Sequence, residues 1–157
     1  MTIQFTIPGI PQGKARARVT KRGTFTPTKT KQYQDRVKIM FRLKNPGRSP
    51  HTGPVRLEIV AYYRRPKSHY GTGRNAGRVK GSAPVWPLVK PDCDNVEKAV
   101  ADALNGIAYN DDSQIVDSHF LKLYQIQGAK PCVIVRLEFW EQETIQEHCG
   151  KGRMQCE

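Results

Sequence analysis

Long apolar runs are missing from this 157-residue chain. No stretch approaches 18 consecutive apolar residues, which argues against a transmembrane helix. Paired cysteine motifs are missing as well. Cys93, Cys132, Cys149 and Cys156 form no C-x-x-C and are accompanied by no His-x-x-x-His, so a zinc finger is not supported. Cys93 and Cys132 read as free thiols acting as small hydrophobes. His148, Cys149 and Cys156 read as part of a polar tail rather than a metal site. Acidic residues are scarce in the first 90 positions, where only Asp35 and Glu58 occur. The opening Met1-Thr2-Ile3-Gln4-Phe5 lacks a charged stretch leading into an apolar one, so the expectation is a cytoplasmic protein without a secretory signal. No internal repeat is visible.

What is present is basic charge, unevenly placed. The formal net charge is +12 and the pI about 9.8. Residues 1–90 hold twenty Lys and Arg for a net of +18, whereas residues 91–157 hold six against twelve acids, a net of −6. That excess is more than solubility asks for. It suits a polyanion binder, nucleic acid above all, that also needs carboxylates. At 17.8 kDa the chain is one domain's worth, large enough for a core without disulfides or a structural metal. Hydrophobic residues make up 38%, low for a globular chain but too high for a disordered one.

Ile3, Phe5 and Ile7 alternate with polar residues and predict a first strand ended by Pro8-Gly9. Over residues 14–19 a period of two sends Lys14, Arg16 and Arg18 one way. With a turn at Lys21-Arg22-Gly23 and a return through Thr24–Thr26, this predicts a basic ribbon, readable as a phosphate contact or as a charge-guarded edge. Pro27-Thr28 opens a helix to about Lys44 with Tyr33, Val37, Met40 and Phe41 as its buried stripe, and Asn45-Pro46-Gly47 stops it. Residues 54–63 predict a strand burying Val55, Leu57, Ile59, Ala61 and Tyr63. Residues 64–86 hold Arg64, Arg65, Lys67, Arg74, Arg78 and Lys80 and no acid. They read as a long loop, functional or mobile, in which Tyr70 and Trp86 either stack on bases or pin the loop. Asp94–Asn105 predict a helix with Asp94 as N-cap, Glu97 completing a capping box and Gly106 at C′. Residues 114–126 and 131–140 predict two strands, read as antiparallel about a turn at 127–130. The sum is a single mixed α/β domain (an α+β mixed sheet with two main helices packed on it) over residues 1–140, followed by a polar tail, 141–157, that reads as disordered.

The densest chemical signal is Lys90-Pro91-Asp92-Cys93-Asp94-Asn95-Val96-Glu97-Lys98, followed by Asn110-Asp111-Asp112-Ser113-Gln114. Pro91 makes the chain arrive extended, which would send Asp92 and Asp94 to one side and Cys93 to the other. Lys98, and Asp102 a turn beyond it, would share that face. Carboxylates gathered this way suit Mg²⁺, which prefers hard oxygen ligands and keeps several waters. Such a site activates water and polarises a phosphodiester, and Lys98 would offset charge building on the phosphate or orient the nucleophile. Each residue also has a plain structural role: Asp94 as a cap, Asp111-Asp112 as turn residues, Lys98 and Asp102 as a solvated pair.

At these residues the chain resembles the RusA family of Holliday junction resolvases, endodeoxyribonucleases common in phages and prophages. The resemblance rests on Lys90-Pro91-Asp92-Cys93-Asp94-Asn95, Lys98-Ala99, Asp102-Ala103-Leu104-Asn105-Gly106 and Asn110-Asp111-Asp112-Ser113-Gln114-Ile115-Val116, and the order of elements agrees over most of residues 1–140. It implies a homodimer that binds four-way DNA junctions and cuts them by symmetric paired nicks with Mg²⁺, in recombination and repair, with Mn²⁺ as a substitute. Asp92, Asp94 and Asp112 would be the metal-binding catalytic carboxylates, Lys98 the catalytic lysine and Asp111 a further candidate ligand. Lys14, Arg16 and Arg18 lie in a region the family also keeps basic and, with Lys21 and Arg22 of the turn, would contact DNA. No organic cofactor and no membrane are implied. Cys93 stands where the family usually has an apolar residue such as leucine, and Val96 replaces another leucine. Composition alone also admits a non-catalytic nucleic-acid-binding protein, or a nuclease acting on other branched DNA or on RNA.

Overall fold

The chain runs β1 (Thr2–Pro8), β2 (Arg18–Thr20), β3 (Gly23–Phe25), α1 (Thr28–Lys44), β4 (Val55–Tyr63), α2 (Cys93–Leu104), β5 (Ile115–Tyr124) and β6 (Cys132–Phe139) in a computed structural model that describes residues 1–16, 18–20 and 23–143. Lys21, Arg22 and the tail beyond residue 143 lie outside the described residues, and Arg18 is placed by its backbone alone. Four strands form one sheet in the order β1-β6-β4-β5, and β2 pairs with β3 as a separate antiparallel ribbon. The ribbon is shorter than the alternation suggested, because Lys14 and Arg16 precede it outside any strand.

Period-two patterning produces a two-layer fold. β1, β4 and β6 each bury every second residue, among them Phe5, Leu57 and Val135. α1 covers this face with Tyr33, Val37 and Phe41, Met40 is partly buried beside them, and the Phe41 ring meets Phe5 edge-on at 5.7 Å. α2 adds Ala99, Val100, Ala103 and Leu104 to the same core. The opposite face is polar and ion-paired. Arg56 meets Glu58 at 2.7 Å and Asp117 at 3.3 Å, and Arg136 meets Glu138 at 2.6 Å and Glu58 at 3.5 Å. No helix among the described residues is long and apolar enough to cross a membrane.

The structure departs from three sequence expectations. β5 and β6 do not form a hairpin. β4 lies between them, parallel to β5 and antiparallel to β6. β6 is paired on both edges, as its clean apolar alternation suits, whereas β5 is an edge strand with most of its side chains half-exposed or exposed. A step over one intervening strand spans about 10 Å, which the seven residues 125–131 easily cover. Second, α2 begins at Cys93, so the N-cap is Asp92 and not Asp94, and no side chain makes a capping hydrogen bond there. The capping box sits elsewhere: Asp111 Oδ1 accepts from Ser113 N–H at 2.9 Å, and Gln114 Oε1 accepts from Asp111 N–H at 3.0 Å. Third, residues 64–80 are folded. Two short 3₁₀ turns, Lys67–His69 and Gly73–Asn75, are joined by bridges between Tyr70 and Val79 and between Gly71 and Ala76.

Candidate active site

The site is built from the end of the sheet upward. Tyr63 closes β4 on its buried side, and its hydroxyl donates to the Pro91 carbonyl at 2.9 Å. Burial, reinforced by Cys93 and Asp92, pushes the Tyr63 phenol well above its ordinary pKa, so it stays protonated and remains a donor. Lys122 on β5 donates to the same Pro91 carbonyl at 3.1 Å and to the Val89 carbonyl at 2.6 Å, with its ammonium 4.9 Å from the centre of the Tyr63 ring. Neighbouring parallel strands therefore clasp the peptide that immediately precedes Asp92.

A register shift explains how a lysine reaches the inside. Val55 pairs with Ile115, but Arg56 pairs with Asp117, so Val116 is bulged out and is 60% exposed. The shift exchanges the two faces of β5. Ser118, Phe120 and Lys122 fall beside the buried row of β4, and Asp117 joins Arg56 on the outer face. Bulges characteristically re-aim side chains in this way next to functional sites. Sequence reasoning missed both Tyr63 as a clasp and Lys122 as an inward residue. A tyrosine in a buried alternating row was a usable signal, since its hydroxyl must find a partner.

A basic arm crosses α2 from the other side. Lys14 N–H donates to the Asn95 carbonyl at 2.7 Å, and Ala15 N–H donates to Thr30 Oγ1, buried in α1, at 3.3 Å. Gly13 passes so near the helix that a Cβ there would lie 2.9 Å from Pro91 Cβ and 3.1 Å from Asn95 Cβ. Arm and helix enclose an open hollow of about 580 Å³ lined by Gln12, Lys14, Arg16, Lys90, Asp92 and Asn95. The Asp92 carbonyl accepts from Val96 N–H at 3.2 Å, but its side chain makes no hydrogen bond or ion pair with any described residue, and the carboxylate faces a basic wall uncommitted.

Asp112 lies on another flank of α2. It shares a hollow of about 300 Å³ with Glu97, Lys98, Asp117 and Ser118. Lys98 pairs with Asp94 at 3.9 Å, and both side chains are well exposed. Asp102 pairs with Lys14 rather than with Lys98. Asp111 is engaged in its own turn, where hydrogen bonding to the Ser113 side chain and backbone holds its carboxyl below the usual range. Beneath the turn Tyr109 is fully buried and donates to the Ala101 carbonyl at 2.9 Å. Burial, with Asp112, Asp102 and Asp111 nearby, raises its phenol far above the ordinary value.

The structure thus joins Lys98 with Asp94 and with Asp112, and joins Asp92 with Lys14 and Arg16. It does not bring the expected carboxylates to one point: among the described residues no three His, Cys, Asp or Glu converge as a ready metal cage. The expectation that Asp92 and Asp94 share a side fails because the helix starts between them, and two helical positions differ by about 200° around the axis.

An uncommitted carboxylate and an exposed lysine–aspartate pair, set at the start of a helix beside a basic arm, define a protein that handles a polyanion at a carboxylate site. Comparison with known proteins gives the class its family. The family model described as "Endodeoxyribonuclease RusA" matches residues 8–138, and the chain belongs to that endodeoxyribonuclease family. It is also 33% identical over 126 residues to "Uncharacterized protein YqaN" of Bacillus subtilis (strain 168), covering 78% of this chain and 87% of that protein. The chemistry of the family is internal cleavage of DNA strands.

Proposed function

We propose that this protein is a Mg²⁺-dependent, structure-selective endonuclease that resolves Holliday junctions by paired symmetric nicks in DNA recombination and repair. The observation that carries the reading is Asp92, an uncommitted carboxylate in one hollow with Lys14 and Arg16. Cations on that scale attract phosphates, and a bare carboxylate among them repels the same phosphates unless a metal cation intervenes. The donor set fits such an ion. Asp92, Asp94 and Asp112 offer only hard oxygens, and Mg²⁺ commonly takes one or two carboxylates with waters and substrate phosphates rather than a closed protein cage. These three residues, which the free chain keeps on different flanks of α2, would hold it together with waters and substrate phosphates, and when bound it supplies charge neutralisation at the phosphodiester and an activated water.

The remaining roles belong to the chain itself. Lys98 offsets negative charge building on the phosphate. Lys14, Arg16, Arg18, Lys21 and Arg22 contact phosphates and fix the register of the DNA without reading its sequence. A two-fold homodimer presents two such sites in the relation that symmetric nicking of a junction requires. Mn²⁺ replaces Mg²⁺ at an all-oxygen site.

The test is a gel assay on a four-way junction with an immobile core and on a matched linear duplex, with Mg²⁺ or EDTA, for wild type and Asp94→Asn. Paired nicks confined to the junction, lost with EDTA and in the variant while junction binding persists, are the expected result. Junction binding without cutting in any divalent metal would overturn the reading.

A further inference from the structure

The activity proposed above makes no use of the most one-sidedly charged segment of the chain. Between Glu58 and Asp92 there is no acid, and seven Lys and Arg occur. The structure gives this segment a fixed shape. The Arg65 guanidinium donates to the Gln125 carbonyl at 2.8 Å and to the Pro84 carbonyl at 2.7 Å and lies 5.2 Å from the Tyr124 ring centre. His69 meets Tyr124 edge-on at 4.8 Å, Lys80 Nζ donates to the Ser68 carbonyl at 2.9 Å, and Val79 N–H donates to Gln127 Oε1 at 3.1 Å. Arg65 and Lys80 are therefore struts. Arg64 and Lys67 are not: both are exposed, and their side chains pair with nothing among the described residues.

These free cations edge a groove of about 700 Å³ between the turn at 64–70 and the end of β5, lined also by Tyr70, Tyr124 and Val89. Tyr70 is half-exposed and lines the groove. The groove leads to the proposed site. Val89, in its wall, is held through its carbonyl by the same Lys122 ammonium that holds Pro91, and Asp92 follows. Three residues span at most about 10 Å, the rise of roughly three nucleotides along a DNA strand.

We propose that this groove binds unpaired nucleotides of the DNA strand that passes the Asp92 site, with Arg64 and Lys67 on phosphates and Tyr70 stacked on a base. The inference rests on the DNA-cutting reading of that site. Free cations with no neighbouring acid suit a phosphate backbone, and an aromatic ring within the same concavity suits an exposed base face, which a closed duplex does not present. A branch point does present one. Ligand class therefore follows from the combination of charge and ring, neither of which would select unpaired nucleotides alone.

Fluorescence anisotropy in EDTA with labelled oligothymidylate, a junction and a linear duplex tests the groove without any cutting. Arg64→Ala/Lys67→Ala should weaken oligothymidylate binding roughly tenfold and lower its log–log salt slope by about 1.4, the value for two single-strand phosphate contacts. Tyr70→Ala should weaken it roughly tenfold and Tyr70→Phe should leave it intact, as stacking demands. Binding to the linear duplex should change less than about twofold in each variant. Unchanged oligothymidylate affinity and slope would overturn the proposal, and so would equal losses on the linear duplex. If junctions are never cut yet oligothymidylate binding depends on Arg64, Lys67 and Tyr70, the cleavage reading falls and the groove stands. If cutting is normal and the oligothymidylate data are flat, the groove alone falls.

Discussion

The Lys14 ammonium lies 2.5 Å from the Asp102 carboxylate and ties the N-terminal arm to the second half of α2. With the Lys14 N–H on Asn95 and the Ala15 N–H on Thr30, the arm is fastened to both helices before the basic ribbon begins. Its approach to Asp92 is thus set by contacts that come from sequence positions 15 to 88 residues away.

Asp102→Ala removes the side-chain tie and leaves the two ties through the arm's backbone N–H groups in place. Both partners are partly exposed, so the pair contributes at most about 1 kcal/mol. The expected loss in melting temperature is no more than about 2–4 °C. Lys14 is released toward DNA, so junction binding should hold or tighten. Thermal melts and anisotropy check this, and a collapse of binding would mean that the tie, and not Lys14's charge, is what the DNA complex needs.

Gly13→Ala should act more strongly. The added methyl meets the Pro91 ring carbon and Asn95 Cβ, neither of them the far end of a flexible side chain. Relief requires the arm to lift from α2, at a cost of about 1–3 kcal/mol typical of overpacking. The expected result is a lower melting temperature together with weaker junction binding. Full binding with a normal melt would show that the arm tolerates a wider path.

The two aspartates at N-cap positions should respond oppositely. Asp92 caps α2 without a side-chain hydrogen bond, so Asp92→Asn should leave the melting curve in place while abolishing cleavage. Asp111 does cap its turn, so Asp111→Ala should lower the melting temperature and reduce cleavage only as far as Asp112 is displaced. Parallel melts and cleavage assays separate the pair; a strongly destabilised Asp92→Asn would assign that residue to structure.

Tyr63→Phe removes one of two donors on the Pro91 carbonyl and leaves Lys122 in place. A net hydrogen bond is worth about 0.5–1.5 kcal/mol, so the fold should survive. Single-turnover cleavage should fall by more than the melt predicts, because the lost bond positions the residue before Asp92. Equal and small effects on both would reduce Tyr63 to a core residue.

Much of the fold was legible because burial has a period. Alternating Ile3-Phe5-Ile7 and Val133-Val135-Leu137 gave strands, and the Tyr33-Val37-Phe41 stripe gave α1, within a residue or two of their ends. Strand order was not legible. Alternation says that a strand has a buried face, yet it does not say which strand lies beside it, and the expected pairing of β5 with β6 fails for that reason. The bulge at Val116 was equally hidden, since it is a property of the pairing between β4 and β5 rather than of either strand.

The sequence by itself determined the chemistry available: a basic first half, an acidic second half, and a Lys90–Lys98 and Asn110–Gln114 block whose residue types and spacing place the chain in its family. The tertiary structure alone decided which of those groups are free and which are held. It starts α2 at Cys93, which parts Asp92 from Asp94, and it gives the hydrogen bonds of Asp111 to a turn and the charge of Asp102 to Lys14. It also turns Lys122 inward beneath the Pro91 carbonyl. The physical reason is one of range. Residue type and periodicity act over a few positions along the chain, whereas hydrogen-bond and ion-pair partners are settled by which segments the packed sheet and helices bring within about 3 Å of each other.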